Sequence, residues 1–145
     1  MPVMTPDDLH RFIEQEFPQA PPGISVESVD DTTIRVRQKT EDRHLRPGGT
    51  ISGPTLMAMV DCGFYLLLLA RLGPVAMAVT TNLNINFMRK PEPGDLLGEG
   101  RLLKLGKTLA VGDFTIWSEG RTEPVAHATV TYAIPPARDP LSSRG

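Results

Sequence analysis

Asp61 is a carboxylate set inside an apolar run. In residues 54–72 it is preceded by Leu56-Met57-Ala58-Met59-Val60 and followed at short range by Leu66-Leu67-Leu68-Leu69-Ala70. A carboxylate in such surroundings is either a structural group satisfied by hydrogen bonds or a base or nucleophile. If the run is helical, Met57 (four residues before) and Tyr65 (four residues after) share its face. Upstream, Ser52-Gly53-Pro54 reads as a helix start, with Ser52 as N-cap and Pro54 in the first turn. A free backbone N–H there is a donor for a developing oxyanion, and Gly53 lets a ligand approach it closely. The blander reading of Gly53 is that it only makes the turn. Together the two groups suit acyl hydrolysis: one attacks or activates water, the other holds the oxyanion.

Their spacing carries a further implication. Gly53 and Asp61 are eight residues apart, or about 12 Å along one helix. A reacting carbon must lie about 3 Å from both groups. One chain cannot meet that requirement, but a second copy with an antiparallel helix can. The spacing therefore favours a two-fold dimer with two shared sites.

The remaining elements must hold that helix. Residues 5–17 carry Leu9, Phe12, Ile13 and Phe17 on one helical face. Thr5 with Asp8 forms a capped start, Pro6 suits the first position, and the prolines from Pro18 onward end the helix. Residues 24–29 and 32–38 alternate in polarity around Asp30-Asp31 and predict a hairpin. A polar, Gly-rich loop follows over 41–51, containing His44, Arg46, Gly48 and Gly49. Gly73-Pro74 closes the long helix. Four strands are predicted after it, at 76–87, 96–105, 108–118 and 124–134, with connections short enough for hairpins. The expected class is α+β, with a six-stranded antiparallel sheet curled around one long helix and a short N-terminal helix. Residues 1–136 read as one domain, of which 1–22 are the first helix and its linker, and 137–145 read as a loose tail.

Composition narrows the function. The chain has 145 residues, is 40% hydrophobic and 22% charged, and has a formal net charge of −2. That balance argues against a nucleic-acid binder. The lone cysteine, Cys62, reads as a small buried hydrophobe, and zinc-site spacing is lacking, so neither metal nor cofactor is expected. Residues 54–72 are long enough to cross a bilayer, but Asp61 at their centre favours a helix enclosed by its own protein. Residues 1–10 have no apolar signal-peptide core, so the protein is expected to be cytoplasmic and free of the membrane.

The order of elements resembles the hotdog fold. Pro47-Gly48-Gly49-Thr50-Ile51-Ser52-Gly53-Pro54, followed by Leu56 and Asp61, is similar to the loop-to-helix signature of PaaI-like acyl-CoA thioesterases of the phenylacetate-degradation type. The run from Thr80 to Pro91 resembles their next strand, and 102–110 their Gly-basic hairpin. Two positions differ: Ser52-Gly53-Pro54 stands where those proteins usually have His-Gly-Gly, and Arg46 where they commonly have Asn or Gln.

The resemblance implies hydrolysis of acyl-CoA thioesters in a homo-oligomer, a dimer or a tetramer, with coenzyme A entering only as part of the substrate. It puts Asp61 in the role of nucleophile or general base and the Gly53 N–H in that of carbonyl polariser, with Ser52 beside it. Thr80 is the nearest match to the polar strand residue that positions water or the carboxylate, ahead of Thr81 and Asn82. Arg46 and His44 would bind or orient the thioester. Tyr65 and Met57 would line an acyl pocket, and Asn82 a polar groove shared with Asn84 and Asn86. Arg89, Lys90, Lys104 and Lys107 are candidates for the coenzyme A phosphates, with the mouth near Lys104 and Lys107 preferred. The altered Ser52 and Arg46 positions leave an alternative, a non-catalytic acyl-CoA or acyl-chain binding protein.

Overall fold

The computed structural model describes residues 2–73 and 78–135. The expected tail at 137–145 and the first two residues of the strand expected from Ala76 lie outside them. Helix α1 spans Pro6–Glu16. The Thr5 hydroxyl accepts from the Asp8 N–H at 3.1 Å, and the Asp8 carboxylate accepts from the Thr5 N–H at 2.9 Å, so the expected capping box is formed. Leu9 and Phe12 are the face α1 buries, against β1 and the long helix.

Strands β1 (Ile24–Val29) and β2 (Thr33–Gln38) form the expected hairpin. Asp30 turns it by accepting from the N–H groups of Thr32 and Thr33 at 2.9 and 2.8 Å. Helix α2 is Gly53–Leu72, stopped by Gly73 at φ 89°, a left-handed value that glycine tolerates. Strands β3 (Val79–Phe87), β4 (Leu96–Leu105), β5 (Leu109–Ser118) and β6 (Ala126–Ala133) complete one antiparallel sheet in the order β1-β2-β4-β5-β6-β3. All six strands touch α2. The helix is the core rather than a covering layer, which is why it is apolar on nearly every side. This is the hotdog arrangement.

Close approach of helix and sheet depends on missing side chains. The Phe114 ring fills the space over Gly63 of α2 and Gly98 of β4. A Cβ would lie 2.6 Å from that ring at Gly63 and 2.5 Å at Gly98.

One expectation fails. The connection 88–95 is not a hairpin: β3 pairs with β6 and β4 with β2, so this segment carries the chain from one sheet edge to the other side of the sheet. Pro91, whose carbonyl accepts from the Ile51 N–H, and Gly94, whose carbonyl accepts from the Thr40 hydroxyl, pin it across the start of α2. Prolines at 91 and 93 cannot donate to a ladder, which suits a crossing segment better than a turn. Pairing β3 with β6 also sets Leu83 and Ile85 opposite Val130 and Ala128 on the helix-facing side.

Candidate active site

Asp61 lies half-buried on the flank of α2, at the wall of a cavity of about 480 Å³. Its carboxylate is not sunk in the core; two hydroxyls reach it. Tyr132 donates to Oδ1 at 2.8 Å and lies 2.8 Å from the Asp61 carbonyl oxygen as well. Thr80 also donates to Oδ1.

Thr80 reaches the carboxylate because β3 is irregular. Thr80 is opposite Tyr132, yet Asn82 is opposite Thr131, so Thr81 is an extra residue in the ladder. In regular alternation Thr80 would share the face of Asn82. The bulge reverses the phase and turns Thr80 toward the helix. Asn82, Asn84 and Asn86 pair with Thr131, Thr129 and His127 on the outer face of the sheet. Asn82 therefore does not line the Asp61 cavity.

Tyr132 is buried between Phe64 and Tyr65, with ring centroids 5.6 and 6.2 Å away. Burial above all holds its hydroxyl protonated well above the usual tyrosine range; the hydrogen bond with Thr80 opposes this, and the charge of Asp61 adds to it. It thus remains a donor, and its geometry fixes one rotamer of the carboxylate. Cys62 borders the same cavity but is no nucleophile: burial, aided by the Asp61 charge, pushes its thiol up to about 12. Sequence reasoning did not single out Tyr132. Its signal was there in alternation with Val130 and Ala128, which puts a tyrosine on the helix side, where a buried hydroxyl needs a partner.

Tyr65 lines the cavity, together with Phe17 and Pro21 from the chain that follows α1. Met57 shares the helical face by spacing but stays 43% exposed and lines neither this cavity nor the groove described next.

Gly53 belongs to that second groove, of about 570 Å³, with Arg46, Phe87, Arg89 and Lys90. Arg46 is presented by a tight turn: its N–H donates to the Thr50 carbonyl at 2.8 Å and its carbonyl accepts from Gly49 at 3.0 Å. Gly48 and Gly49 take φ values of 101° and 79°, which other residues resist. Ser52 occupies the N-cap position in extended conformation, but its hydroxyl pairs with that of Thr55 at 2.8 Å and makes no capping bond. The Gly53 N–H, which has no acceptor within the helix, is thus left uncapped by the Ser52 side chain, and Gly53 lines the groove.

The remaining candidates are engaged by neighbours or lie outside both grooves. The His44 ring accepts from the Glu41 N–H at 2.8 Å, and its carbonyl accepts from the Ser52 N–H at 2.8 Å; it lines neither site. Arg89 is paired with Glu123 at 2.7 Å and donates to the Pro124 carbonyl. Lys104 and Lys107 sit at the β4–β5 hairpin and line neither groove; the β4 bulge between Leu102 and Lys104 sets Lys104 opposite outward-facing Val111. The structure thus groups Asp61, Thr80 and Tyr65 in one place and Gly53, Arg46, Arg89 and Lys90 in another.

Comparison with known proteins gives the family and supports the fold. Residues 48–125 match the thioesterase superfamily. A solved structure from Silicibacter sp. TM1040, described as a "putative thioesterase", is 51% identical, with a TM-score of 0.86, covering 94% of this chain and 95% of its own. A "putative thioesterase, phenylacetic acid degradation-related protein" from Ralstonia eutropha JMP134 is 27% identical, with a TM-score of 0.74, covering 87% of this chain and 98% of its own. A "putative esterase" from Saccharolobus solfataricus is 26% identical over 134 residues, 92% of this chain and 87% of that protein.

Proposed function

Because the chain belongs to the thioesterase superfamily, we propose that it hydrolyses acyl-CoA thioesters, with Asp61 as the group that drives attack on the carbonyl carbon. The observation that carries this reading is the Asp61 carboxylate, oriented by Tyr132 and Thr80 at the wall of a largely apolar cavity. In the general-base route, Asp61 takes a proton from water as the oxygen adds to the thioester carbon. The tetrahedral intermediate then collapses, the C–S bond breaks, and the coenzyme A thiolate leaves and takes up a proton. In the nucleophilic route the carboxylate itself adds, expels the thiolate and forms an acyl anhydride that water then cleaves. Both routes build negative charge on the carbonyl oxygen and need a donor there.

That donor is the Gly53 N–H of a second copy. Within one chain Gly53 and Asp61 open into different grooves, about 12 Å apart along the helix. Strand β3 is an edge of the sheet, and Val79, Phe87 and Met88 on it or just beyond it are 56%, 52% and 47% exposed. An exposed edge with large apolar side chains invites pairing. Two-fold pairing along β3 covers them and brings each helix start toward the other copy's Asp61. Arg46 and Lys90 beside Gly53 then supply cations for the coenzyme A phosphates.

The deciding experiment is a steady-state assay on short, medium and aromatic acyl-CoAs with wild type and Asp61→Asn. Wild type should turn over at least one class, and the variant should lose about a hundredfold or more in kcat. Tight binding without turnover in wild type would instead favour the acyl-CoA binding alternative.

A further inference from the structure

The cavity at Asp61 has two unlike ends. At one, Ala78, Val79 and Thr80 border it beside the β3 edge, where the pairing proposed above brings the helix start of a second copy. A thioester held at Asp61 sends its sulfur and coenzyme A that way, over the partner's groove. The acyl group must then run to the opposite end. That end is built by the segment that leaves α1, with Phe17 and Pro21 as apolar walls and Glu16 and Gln19 at the rim.

Phe17 is placed to act as a stop. Its ring meets Tyr65 edge-on, with centroids 5.6 Å apart and planes at 89°. Its backbone is fixed on both sides: the Phe17 N–H donates to the Ile13 carbonyl, and the Phe17 carbonyl accepts from Ala20, each at 3.1 Å. Ala20 is buried, so the turn is anchored beyond the ring. Attachment of α1 does not depend on Phe17. Leu9 and Phe12 are buried, the Thr5–Asp8 cap is closed, and the His10 ring accepts from the Val26 N–H at 2.9 Å. Phe17 is thus a side chain whose removal changes the cavity end and leaves the helix docked.

Resting on the thioesterase reading above, we propose that Phe17 is the end wall of the acyl pocket and sets the length of acyl chain the protein accepts. The other cavity residues leave less room for a length filter. Ala58, Cys62 and Ala78 are small, and Tyr65 and Tyr132 flank the carboxylate itself. The carboxylate of Glu16 at the rim adds a charge beside the exit, which disfavours acyl groups ending in a second carboxylate.

The test measures the dissociation constants of straight-chain acyl-CoAs of increasing length in an Asp61→Asn background, where bound thioester persists. Phe17→Ala and Phe17→Trp are added to that background, with turnover of the same series by the Asp61-intact proteins followed in parallel. Phe17→Ala should tighten the longest chains about tenfold relative to the shortest, and Phe17→Trp should move the profile the other way. An unchanged length profile in both variants, with thermal melting showing both folded, overturns the end-wall proposal alone. Absence of acyl-CoA binding at every length overturns it together with the thioesterase reading. A shifted profile with no wild-type turnover supports the wall and removes the hydrolase.

Discussion

Replacing Gly53 by proline removes one N–H while respecting the local backbone. Proline is favoured at the first helical position, and the residue before it prefers extended backbone. Gly53 is that first position, and Ser52 is already extended at φ −71° and ψ 151°. A Cβ at Gly53 would meet the Phe87 ring at 3.4 Å, an ordinary contact. Residue 53 itself precedes Pro54, whose ring disfavours helical backbone once a Cβ stands before it, so the variant is first shown by circular dichroism and melting to fold; the helix then lacks only its Gly53 donor. Loss of one oxyanion donor costs about a hundredfold to a thousandfold in kcat, and Asp61→Asn about a hundredfold or more. If each site takes Asp61 from one copy and Gly53 from the other, the two defects complement. Refolding the two variants together in equal amounts gives about half mixed dimers by chance, each with one intact site of two. Activity should then rise to about a quarter of wild type, against about one percent or less for either parent. The assay is thioester cleavage followed through the released thiol, with variants mixed but not refolded as the control. Co-refolded protein no more active than the average of its parents would refute the shared site. A fully active Gly53→Pro parent would refute the donor.

Three further outcomes follow from the same coordinates. Lys90→Glu should raise KM for acyl-CoA about tenfold with little change in kcat, as loss of one charge-assisted contact implies, whereas Lys104→Glu and Lys107→Glu should leave both parameters at wild-type values in the same assay. Gly112→Ala places a Cβ 2.2 Å from the Phe64 ring and 2.3 Å from the Arg101 carbonyl oxygen; because backbone must move, destabilisation should reach the upper end of the ~1–3 kcal/mol usual for overpacking, read from denaturant midpoints. Burial opposes ionisation of Asp113, but hydrogen bonds from Arg101 and His127 outweigh it and hold the carboxyl below its ordinary value. That stabilisation is complete above the unfolded value of about 3.9 and disappears as pH falls through the lower folded value. The stability gap between wild type and Asp113→Asn should therefore be constant near neutrality and narrow below about pH 4, measured by urea unfolding across pH.

Much of the fold was legible because the signals were local. The Thr5–Asp8 cap, the Asp30 turn, Gly73 and the apolar run around Asp61 each fix one element with residues close in sequence. Neighbour choice in the sheet was not legible. Alternation in β3 says that Leu83 and Ile85 share a face; it does not say that Ala128 and Val130 lie beside them, and a short connection made β4 look like the partner. The site was half legible for the same reason. Gly53, Arg46, Arg89 and Lys90 gather at the start of α2 because the pinned crossing segment brings the chain after β3 there, while the bulge that sets Lys104 opposite Val111 in β4 could not be read by counting along the strand.

The bulge at Thr81 shows why spacing alone could not complete the site. Period-two counting from Asn82 puts Thr80 on the outer face, away from Asp61. The extra residue reverses that phase for Thr80 and leaves Asn82, Asn84 and Asn86 outside. Its cause is not in the threonines themselves. The Thr81 hydroxyl donates to the Thr131 carbonyl at 3.3 Å, taking up an acceptor beside the interrupted ladder, while Tyr132 opposite Thr80 must face inward to bury its ring between Phe64 and Tyr65. Burial of one aromatic ring on β6 therefore fixes the phase of its neighbour, and that phase delivers the second hydroxyl to the carboxylate.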